Sequence, residues 1–196
     1  MLPIILDVSS LKVAVIGNGL QAVKRLDMLR DADVSEIDIF SPDPGNEMKA
    51  AAGNMIKLRL PSVEDISSYA IIFIANLEAE EVEKLAGQAR ELGVLVNVED
   101  VKPLCDFHVP SIIRRGKLLL TASTGGMSPA LARRLREFLA ARFAPVWADR
   151  LEIIGAARHK WRDEGLSFGE VTKNTNDLID EEGWLECPCP LKTEKS

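Results

Sequence analysis

The first hundred residues alternate short apolar runs with longer stretches in which apolar residues recur every three or four positions. The first pattern is typical of buried strands and the second of amphipathic helices, so the alternation predicts β-α-β units around a parallel sheet. We predict strands over residues 12–16, 36–40, 56–60, 70–75 and 94–98. We also predict two helices. The apolar positions of the first are Leu20, Val23, Leu26 and Leu29, and those of the second, which ends at Gly93, are Val82, Leu85, Ala86, Ala89 and Leu92.

After residue 105 the pattern changes to shorter units. We predict strands over residues 107–110 and 117–122, with a tight turn at Arg115-Gly116 before the second. Ser128 is a favourable N-cap and Pro129 suits the first helical position, so a helix is predicted to begin there. The apolar face of that helix consists of Leu131, Leu135, Phe138 and Leu139, and Pro145 precedes a further predicted helix.

These changes of pattern divide the sequence into three regions, residues 1–105, 106–144 and 145–196. Beyond Asp163 the apolar spacing weakens and Gly, Asn and Thr become frequent, so we expect that end to be loosely held. The tail contains Cys187 and Cys189, two thiols without a second pair of ligands, which favours an inert tail over a closed zinc site.

Composition narrows the class of protein. The chain has 196 residues, of which 46% are hydrophobic and 28% charged, as in globular rather than disordered proteins. Its longest apolar run, around residues 70–75, is far shorter than the ~20 residues of a membrane-spanning helix. The N-terminal residues lack the features of a secretory signal, and three cysteines are too few for a disulfide framework. These features predict a cytoplasmic protein with no membrane partner.

Charge is distributed unevenly around a net total of −6. Residues 1–110 hold 10 Lys and Arg against 18 Asp and Glu, residues 111–150 hold 8 against 2, and residues 151–196 hold 6 against 10. The acidic total argues against a nucleic-acid partner. The basic block is either a solvated helix face or a surface that orients an anionic ligand.

A glycine turn follows the first predicted strand. Gly17, Asn18, Gly19, Leu20 and Gln21 stand where a dinucleotide-binding turn requires flexible backbone, and the small Ala22 permits close helix packing. An acid after the second strand binds ribose hydroxyls in the common version of this site, and the candidate is Asp43. Because no arginine stands there to meet a 2′-phosphate, NAD is predicted in preference to NADP. The alternative is a merely structural tight turn.

Two further segments carry candidate chemistry. Asp100 follows the strand over residues 94–98 at the carboxyl edge of the sheet, where a carboxylate can accept a proton; alternatively it is a turn or capping residue. The loop before the Ser128 cap combines small, hydroxylated and glycine residues with arginines on the helix after it, which suits an anionic ligand, although a capped helix with a solvated basic face explains the same pattern. The candidate substrate-binding residues are Ser123, Thr124, Gly125, Gly126, Ser128, Arg133 and Arg136.

In combination, these motifs resemble the NAD-dependent precorrin-2 dehydrogenase family, whose module also forms the N-terminal part of siroheme synthases. The matching segments occur in family order over about residues 2–140. They are Leu2-Pro3-Ile4-Ile5-Leu6-Asp7, the glycine turn with Ala22, Asn97-Val98-Glu99-Asp100, Phe107-His108-Val109-Pro110-Ser111-Ile112-Ile113 and Ser123-Thr124-Gly125-Gly126-Met127-Ser128-Pro129-Ala130-Leu131-Ala132-Arg133.

The resemblance implies a Rossmann-like NAD-binding domain, a dimerisation and substrate-binding region, and a small helical C-terminal part. It implies an oxidoreductase of siroheme and porphyrin biosynthesis that oxidises precorrin-2 to sirohydrochlorin, acts as a homodimer on a tetrapyrrole substrate, and in some members also inserts a metal. Asp100 falls on the family's essential aspartate, residues 17–21 on its cofactor turn, and Pro42 and Asp43 near the adenosine.

The chain departs from the family pattern at two places near the cofactor. Asn18 stands in the middle of the turn, where many members have three consecutive glycines, and Asn76-Leu77 replaces the common Thr-Asp. Because of Asn76-Leu77 and of the region beyond Asp163, which matches the family poorly, the alternative function is a non-catalytic NAD(H)- or tetrapyrrole-binding carrier or regulator. His108 and His159 are interpreted as a packed residue and a solvated helix residue rather than catalytic groups.

Overall fold

The computed structural model describes residues 1–186, so Cys187, Cys189 and the tail prediction lie outside the described residues. The chain divides between Val109 and Pro110 into two compact units. The dimerisation role predicted for residues 106–144 stays a prediction. Among residues 1–186, no helix is both long enough and apolar enough to cross a bilayer.

The first unit is a parallel sheet of five strands in the order β3-β2-β1-β4-β5. Its strands are β1 (Lys12–Gly17), β2 (Glu36–Phe40), β3 (Ile56–Lys57), β4 (Ile71–Ala75) and β5 (Leu95–Val98). Its helices are α1 (Gly19–Arg30), α2 (Asn46–Ala52), α3 (Val63–Ser67) and α4 (Ala79–Glu91). The predicted α/β class with a Rossmann-like parallel sheet is confirmed, and the strand order reverses between β1 and β4, where open sheets of this kind bind ligands.

Both faces of the sheet are covered by apolar packing. Successive residues of a strand point to opposite faces, and along β1 the residues Val13 and Val15 belong to one buried cluster with Leu26 of α1. Ala14 belongs to the other cluster, with α4 residues such as Leu85. Helices on two faces explain why these strands are apolar throughout instead of alternating.

The predicted strand over residues 56–60 is wrong beyond its first two residues. β3 ends at Lys57, where the backbone N–H of Arg59 turns back to the Lys57 carbonyl at 2.8 Å. The side chain of Leu58 is exposed, and Pro61 ends any further pairing. The alternating pattern therefore reflects a loop that leaves the sheet and not a half-exposed strand.

The predicted strand over residues 107–110 is also wrong. The edge of β5 is instead closed by the two residues just before that predicted strand, Cys105 and Asp106, mainly through their side chains. The backbone N–H of Val96 donates to the Asp106 carboxylate at 3.0 Å, and the C=O of Val96 accepts from the Asp106 N–H at 2.8 Å. The N–H and C=O of Val98 both contact Cys105 Sγ, at 3.3 and 3.1 Å. Arg90 of α4 holds Asp106 at 3.0 Å, and Phe107 packs edge-on against Phe73 of β4.

The second unit begins with an antiparallel pair, β6 (Ser111–Arg115) and β7 (Leu118–Ala122), joined by a turn at Gly116 with φ +54°. Its helices are α5 (Pro129–Arg142), α6 (Trp147–Asp163) and α7 (Phe168–Glu181). The predicted start of α5 is confirmed, since Ser128 Oγ accepts a hydrogen bond from the N–H of Leu131 and Pro129 is the first helical residue.

Beyond Asp163 the chain continues as the helix α7, and the loosely held end expected there stays a prediction. Ser167 caps α7 through the N–H of Glu170, whose carboxylate bonds back to the Ser167 N–H at 2.9 Å. This reciprocal pair is the capping box S-x-x-E, which offsets the weak helix propensity of the Asn- and Thr-rich segment. Leu92, predicted on the apolar face of α4, instead follows α4 as its cap residue and is exposed.

Candidate functional site

The glycine turn after β1 requires its first glycine. Gly17 has φ +124°, and a Cβ built on it would lie 1.8 Å from the carbonyl oxygen of Ala75 on the neighbouring strand β4. Gly19 has φ +71°, and a Cβ there would lie 3.1 Å from Nδ2 of Asn76. Glycine therefore lets the turn lie against the end of β4, as the close approach of a phosphate to backbone also requires.

Asn18 caps α1 and ties the turn to the loop after β2. Its Oδ1 accepts hydrogen bonds from the N–H of Gly19 at 2.7 Å and from the N–H of Gly45 at 2.8 Å. Its Nδ2 donates to the backbone carbonyl of Asp43. One side chain thus joins the two segments assigned by resemblance to the cofactor.

The start of α1 fits a dinucleotide phosphate. Its first turn contains no acidic residue, and the first turn of a helix leaves N–H groups without intrahelical partners at the positive end of the helix dipole. Leu20 and Gln21 are exposed there, while Ala22 is fully buried against the sheet, as predicted for a small residue. We therefore consider the residues present compatible with NAD or NADP.

Two polar residues at the carboxyl edge adopt backbone conformations that are rare for residues other than glycine. Asn76 follows β4 with φ +53°, and Asp100 follows β5 with φ +60°. Asn and Asp tolerate this region best among side chains with a Cβ, and such conformations concentrate at functional sites. Both residues line one cleft of about 340 Å³. Its polar lining includes Gln21, Glu83 and Glu99.

The cleft brings a predicted catalytic residue next to the cofactor turn. Gln21 and Asp100 line the same space, although they are separated by most of the first unit in sequence. The Asp100 carboxylate is exposed and therefore open to a ligand in the cleft. Cys105 holds the backbone that carries Asp100, because its Sγ contacts Val98 as described and lies 3.5 Å from the carbonyl of Val101. The catalytic role of Asp100 stays a prediction.

An ion pair fixes α1 against the end of β5. The guanidinium of Arg25 bonds the carboxylate of Glu99, and both side chains are about four-fifths buried. The Arg25 guanidinium carbon also lies 5.9 Å from the ring centroid of Phe73. Because Glu99 lines the cleft and directly precedes Asp100, this pair holds that part of the cleft lining in place.

The other cofactor candidates lie in the loop after β2. Pro42 and Asp43 are both exposed, and Asp43 is held through its backbone carbonyl by Asn18. The preceding acid, Asp38, is inside β2 as predicted and bonds Tyr69 Oη at 2.6 Å and Lys57 Nζ at 3.0 Å. Burial raises the pKa of Asp38, but these two partners and the charge of Lys12 outweigh it and lower the pKa below its usual value. Asp38 is therefore a structural acid, and Asp43 remains the ribose candidate.

The predicted substrate loop belongs to the second unit and uses its hydroxyls internally. Thr124 Oγ1 accepts from the Ser128 N–H at 3.2 Å and donates to its carbonyl at 3.1 Å. Ser123 Oγ accepts from the N–H of Gly125 at 3.3 Å. Gly125 and Gly126 have φ +61° and +76°. The hydroxyl groups thus shape the loop before α5, and the N–H of Met127 bonds the Thr124 carbonyl at 3.0 Å, which leaves the nearby arginines as the groups for an anion.

The arginines of α5 are on its surface. Arg133 is exposed and pairs with Glu137 one turn later at 2.9 Å, and Arg136 is exposed as well. An ion pair of this kind is typical of a solvated helix face. The geometry of this unit is therefore compatible with both interpretations of the basic block, a solvated helix face or a surface that orients an anionic ligand.

Three features of the site escaped the sequence analysis. Nothing in the sequence indicates that Asn18 reaches Gly45, that Arg25 pairs with Glu99 across 74 positions, or that Cys105 holds the Asp100 segment. Only Asn18 had a local signal, as an N-cap residue before a helix. Over residues 1–186 there is no group of three or more His, Cys, Asp or Glu placed to hold a metal ion.

The chain is similar to known proteins over most of its length. A family model described as "Putative NAD(P)-binding" matches residues 4–111. A siroheme synthase of Methylococcus capsulatus is 36% identical over 137 residues, which are 69% of this chain and 29% of that protein. A siroheme synthase of Pseudoalteromonas atlantica is 27% identical over 184 residues, which are 91% of this chain and 39% of that protein. The chain thus spans well under half the length of these relatives.

A solved structure, "SirC, precorrin-2 dehydrogenase", has the same fold, with a TM-score of 0.74 at 21% sequence identity. The match covers 94% of this chain and 92% of that one. Because the family model matches more than half of the residues, the chain belongs to this NAD(P)-binding family, that of precorrin-2 dehydrogenase and the siroheme synthase N-terminal domain.

Proposed function

We propose that this protein oxidises precorrin-2 to sirohydrochlorin with NAD⁺ as the hydride acceptor. The observation that carries the proposal is the shared cleft, in which Asp100 and Gln21 of the cofactor turn line one space at the carboxyl edge of the sheet. The relatives named siroheme synthase and the solved structure named precorrin-2 dehydrogenase support the choice of substrate.

The reaction removes one hydride and one proton from precorrin-2, which is an oxidation by two electrons. Bound NAD⁺ supplies the acceptor for the hydride and becomes NADH. The chain's own residues bind and orient: the start of α1 holds the pyrophosphate, and Asp43 binds the ribose hydroxyls. The Asp100 carboxylate accepts the proton at its oxygen and passes it to water, which its exposure permits.

For the tetrapyrrole itself we propose the basic block as the binding surface. Precorrin-2 carries acetate and propionate carboxylates, and residues 111–150 hold 8 Lys and Arg against 2 Asp and Glu in a chain that is acidic overall. The guanidiniums of Arg133 and Arg136 are the proposed contacts, and residues 123–128 shape the loop that precedes their helix. We expect that changing both arginines to Gln raises the KM for precorrin-2 and leaves the NAD⁺ affinity unchanged. An unaltered KM would mean that the basic block is only a solvated helix face.

We also propose that the protein forms a homodimer through α5. Leu131, Leu135 and Phe138 follow one another at helical spacing and are 50%, 39% and 66% exposed. An apolar stripe of this kind is more typical of an interface than of a monomer surface. The cytoplasmic location predicted from the sequence stays a prediction, as does an additional metal insertion.

One observation favours the alternative of a non-catalytic carrier. Asn76 and Leu77 line the cleft where the family commonly has Thr-Asp, so the cleft has one carboxylate fewer. A carrier binds NAD(H) or a tetrapyrrole without converting it.

The decisive experiment mixes the purified protein with precorrin-2 and NAD⁺ and records the visible spectrum under anaerobic conditions. The proposal expects the sirohydrochlorin spectrum to develop together with absorbance of NADH at equal amounts. Binding of both ligands without any spectral change over hours would establish the carrier instead. A reaction that runs equally fast without NAD⁺ would remove the cofactor from the proposal.

A further inference from the structure

We propose that Asn18 is a positioning residue that strengthens the preference for NAD over NADP, an inference that rests on the proposed function. The family commonly has glycine at this place, so Asn18 adds to the discrimination by the Asp43 carboxylate and does not replace it. The carrying observation is that one amide group bonds the glycine turn and the loop after β2 at the same time.

All the polar atoms of the Asn18 side chain are used. Oδ1 accepts from Gly19 and Gly45 at 2.7 and 2.8 Å, and Nδ2 donates to the Asp43 carbonyl. The contact at Gly45 is close, since a Cβ built there would lie 3.4 Å from Asn18 Oδ1. The loop is therefore held on both sides of Pro44, at Asp43 and at Gly45.

The loop between these two anchors has little freedom of its own. Pro42 and Pro44 fix their backbone φ angles, and Pro44 is buried. Before them, the N–H of Ser41 bonds the carbonyl of Lys57 on β3 at 3.0 Å. With Asn18 bonded, the Asp43 backbone is fixed relative to the glycine turn, and a ligand need not order it on binding.

The charges around this loop select against an extra phosphate. Asp43 is exposed, and the Glu47 carboxylate lies over Gly45, with an oxygen 3.4 Å from the position of a Cβ there. A carboxylate whose backbone is held in place accepts hydrogen bonds from the free 2′-hydroxyl of NAD and repels the 2′-phosphate of NADP. A loop released from Asn18 can move its carboxylate away. This movement weakens the hydrogen bonds to the 2′-hydroxyl of NAD and relieves the repulsion of the 2′-phosphate of NADP.

Two variants of Asn18 separate this role from a general effect on the turn. Asn18→Gly removes the tether and costs only a few tenths of a kcal/mol as an N-cap. Asn18→Asp keeps both acceptor bonds and the cap, but it loses the donor to the Asp43 carbonyl and places a negative charge where the pyrophosphate binds. Asn46→Ala is the matched control, because Asn46 is an exposed asparagine at the start of α2 with no bond to the turn.

The experiment measures the Kd of each variant of the full chain for NAD⁺ and NADP⁺ by calorimetry, and amide hydrogen exchange at Gly45. We expect Asn18→Gly to raise the NAD⁺ Kd about tenfold, a loss of roughly 1.4 kcal/mol, to leave the NADP⁺ Kd unchanged or lower, and to speed exchange at Gly45. Asn18→Asp should raise both Kd values, because its charge repels the pyrophosphate that the two dinucleotides share. Asn46→Ala should change neither.

An unchanged NAD⁺ Kd in Asn18→Gly, or an equal rise for both dinucleotides in that variant, overturns the inference. If the unaltered protein binds neither dinucleotide, the proposed function itself fails. These outcomes are distinguishable because the first two require a protein that binds NAD⁺ before the change.

Discussion

The guanidinium of Arg25 on α1 pairs with the carboxylate of Glu99 at the end of β5, beneath a cleft that Asp100 also lines. Both side chains are largely buried, so the pair acts at a lower effective dielectric than a surface ion pair. We expect the variants Arg25→Met and Glu99→Gln each to destabilise the protein by about 1 to 3 kcal/mol. A double-mutant cycle in urea should show a coupling of about 1 kcal/mol; additive losses would mean the two side chains do not interact.

Gly17 is the position where a methyl group is least tolerated. The variant Gly17→Ala places a Cβ against the Ala75 carbonyl at a φ that alanine rarely adopts, so we expect a loss of more than about 3 kcal/mol in the free energy of unfolding. The matched control is Gly87→Ala in α4, where nothing lies within 4 Å of the new Cβ. That change should stabilise the protein by about 0.5 to 1 kcal/mol, as alanine does in a helix.

Asp38 should contribute to acid sensitivity. Burial raises its pKa, but Tyr69 and the lysines 57 and 12 lower it by more, so the folded pKa lies below the unfolded value. A depressed carboxyl pKa stabilises the fold above the unfolded pKa of about 4 and loses that contribution as pH falls through the folded pKa. We expect Asp38→Asn to cost about 1 to 2 kcal/mol at pH 7.

The measurement for Asp38 is urea denaturation of the native protein and the variant from pH 7 down to pH 2. The gap in unfolding free energy between them should narrow below about pH 4. Tyr69→Phe, which removes only the 2.6 Å hydrogen bond, should show a smaller gap with the same sign. A gap independent of pH would mean that the carboxyl is not stabilised in its charged form.

Asp100 offers a test of catalysis with an internal control. Asn tolerates φ +60° as Asp does and keeps the shape, so Asp100→Asn should leave the free energy of unfolding within about 1 kcal/mol and the NAD⁺ Kd unchanged. Under the proposed function it should reduce kcat at least about a hundredfold, the scale of general base catalysis.

Asp33→Asn is the control for Asp100, because Asp33 is an exposed aspartate at a similar φ of +56° after α1. It receives the same substitution in the same backbone conformation and should keep full turnover. Equal kcat values in both variants would remove Asp100 from the reaction.

The apolar stripe of α5 predicts the oligomeric state. Sedimentation of the native protein should show a dimer, and Leu135→Glu with Phe138→Glu should show a monomer of unchanged helix content, because charges on that stripe cannot be buried without partners. Glu137→Gln, on another side of the helix, should remain dimeric. A native protein that sediments as a monomer at micromolar concentration would contradict the interface.

Features that depend on the local residue sequence, such as turns and helix starts, can be predicted from it. Contacts between segments that are distant in sequence cannot. Gly17 and the Ser128 cap were predicted because a turn or a helix start has its own residue requirements. The bond of Asn18 to Gly45 depends on the path of the loop after β2, which no spacing reveals. Residues 56–60 alternate as a strand does, yet pairing ends at Lys57 for lack of a continuing partner.

The helix α7 is a different case, because the sequence carries a local signal for its start. Ser167 and Glu170 have capping-box spacing, whereas the Asn- and Thr-rich interior has weak helix propensity. The roles of Asp100, Asp43 and the loop over residues 123–128 depend on ligands and stay predictions.

Asp106 has a consequence for how far the sheet can grow. Val96 and Val98 carry the backbone groups of β5 that face away from β4, and Asp106 and Cys105 occupy them. Neither a sixth strand nor a strand from a neighbouring molecule can add there without first displacing a carboxylate that Arg90 holds. Two adjacent residues, Cys105 and Asp106, thus end the sheet at this side and block its edge in the folded protein.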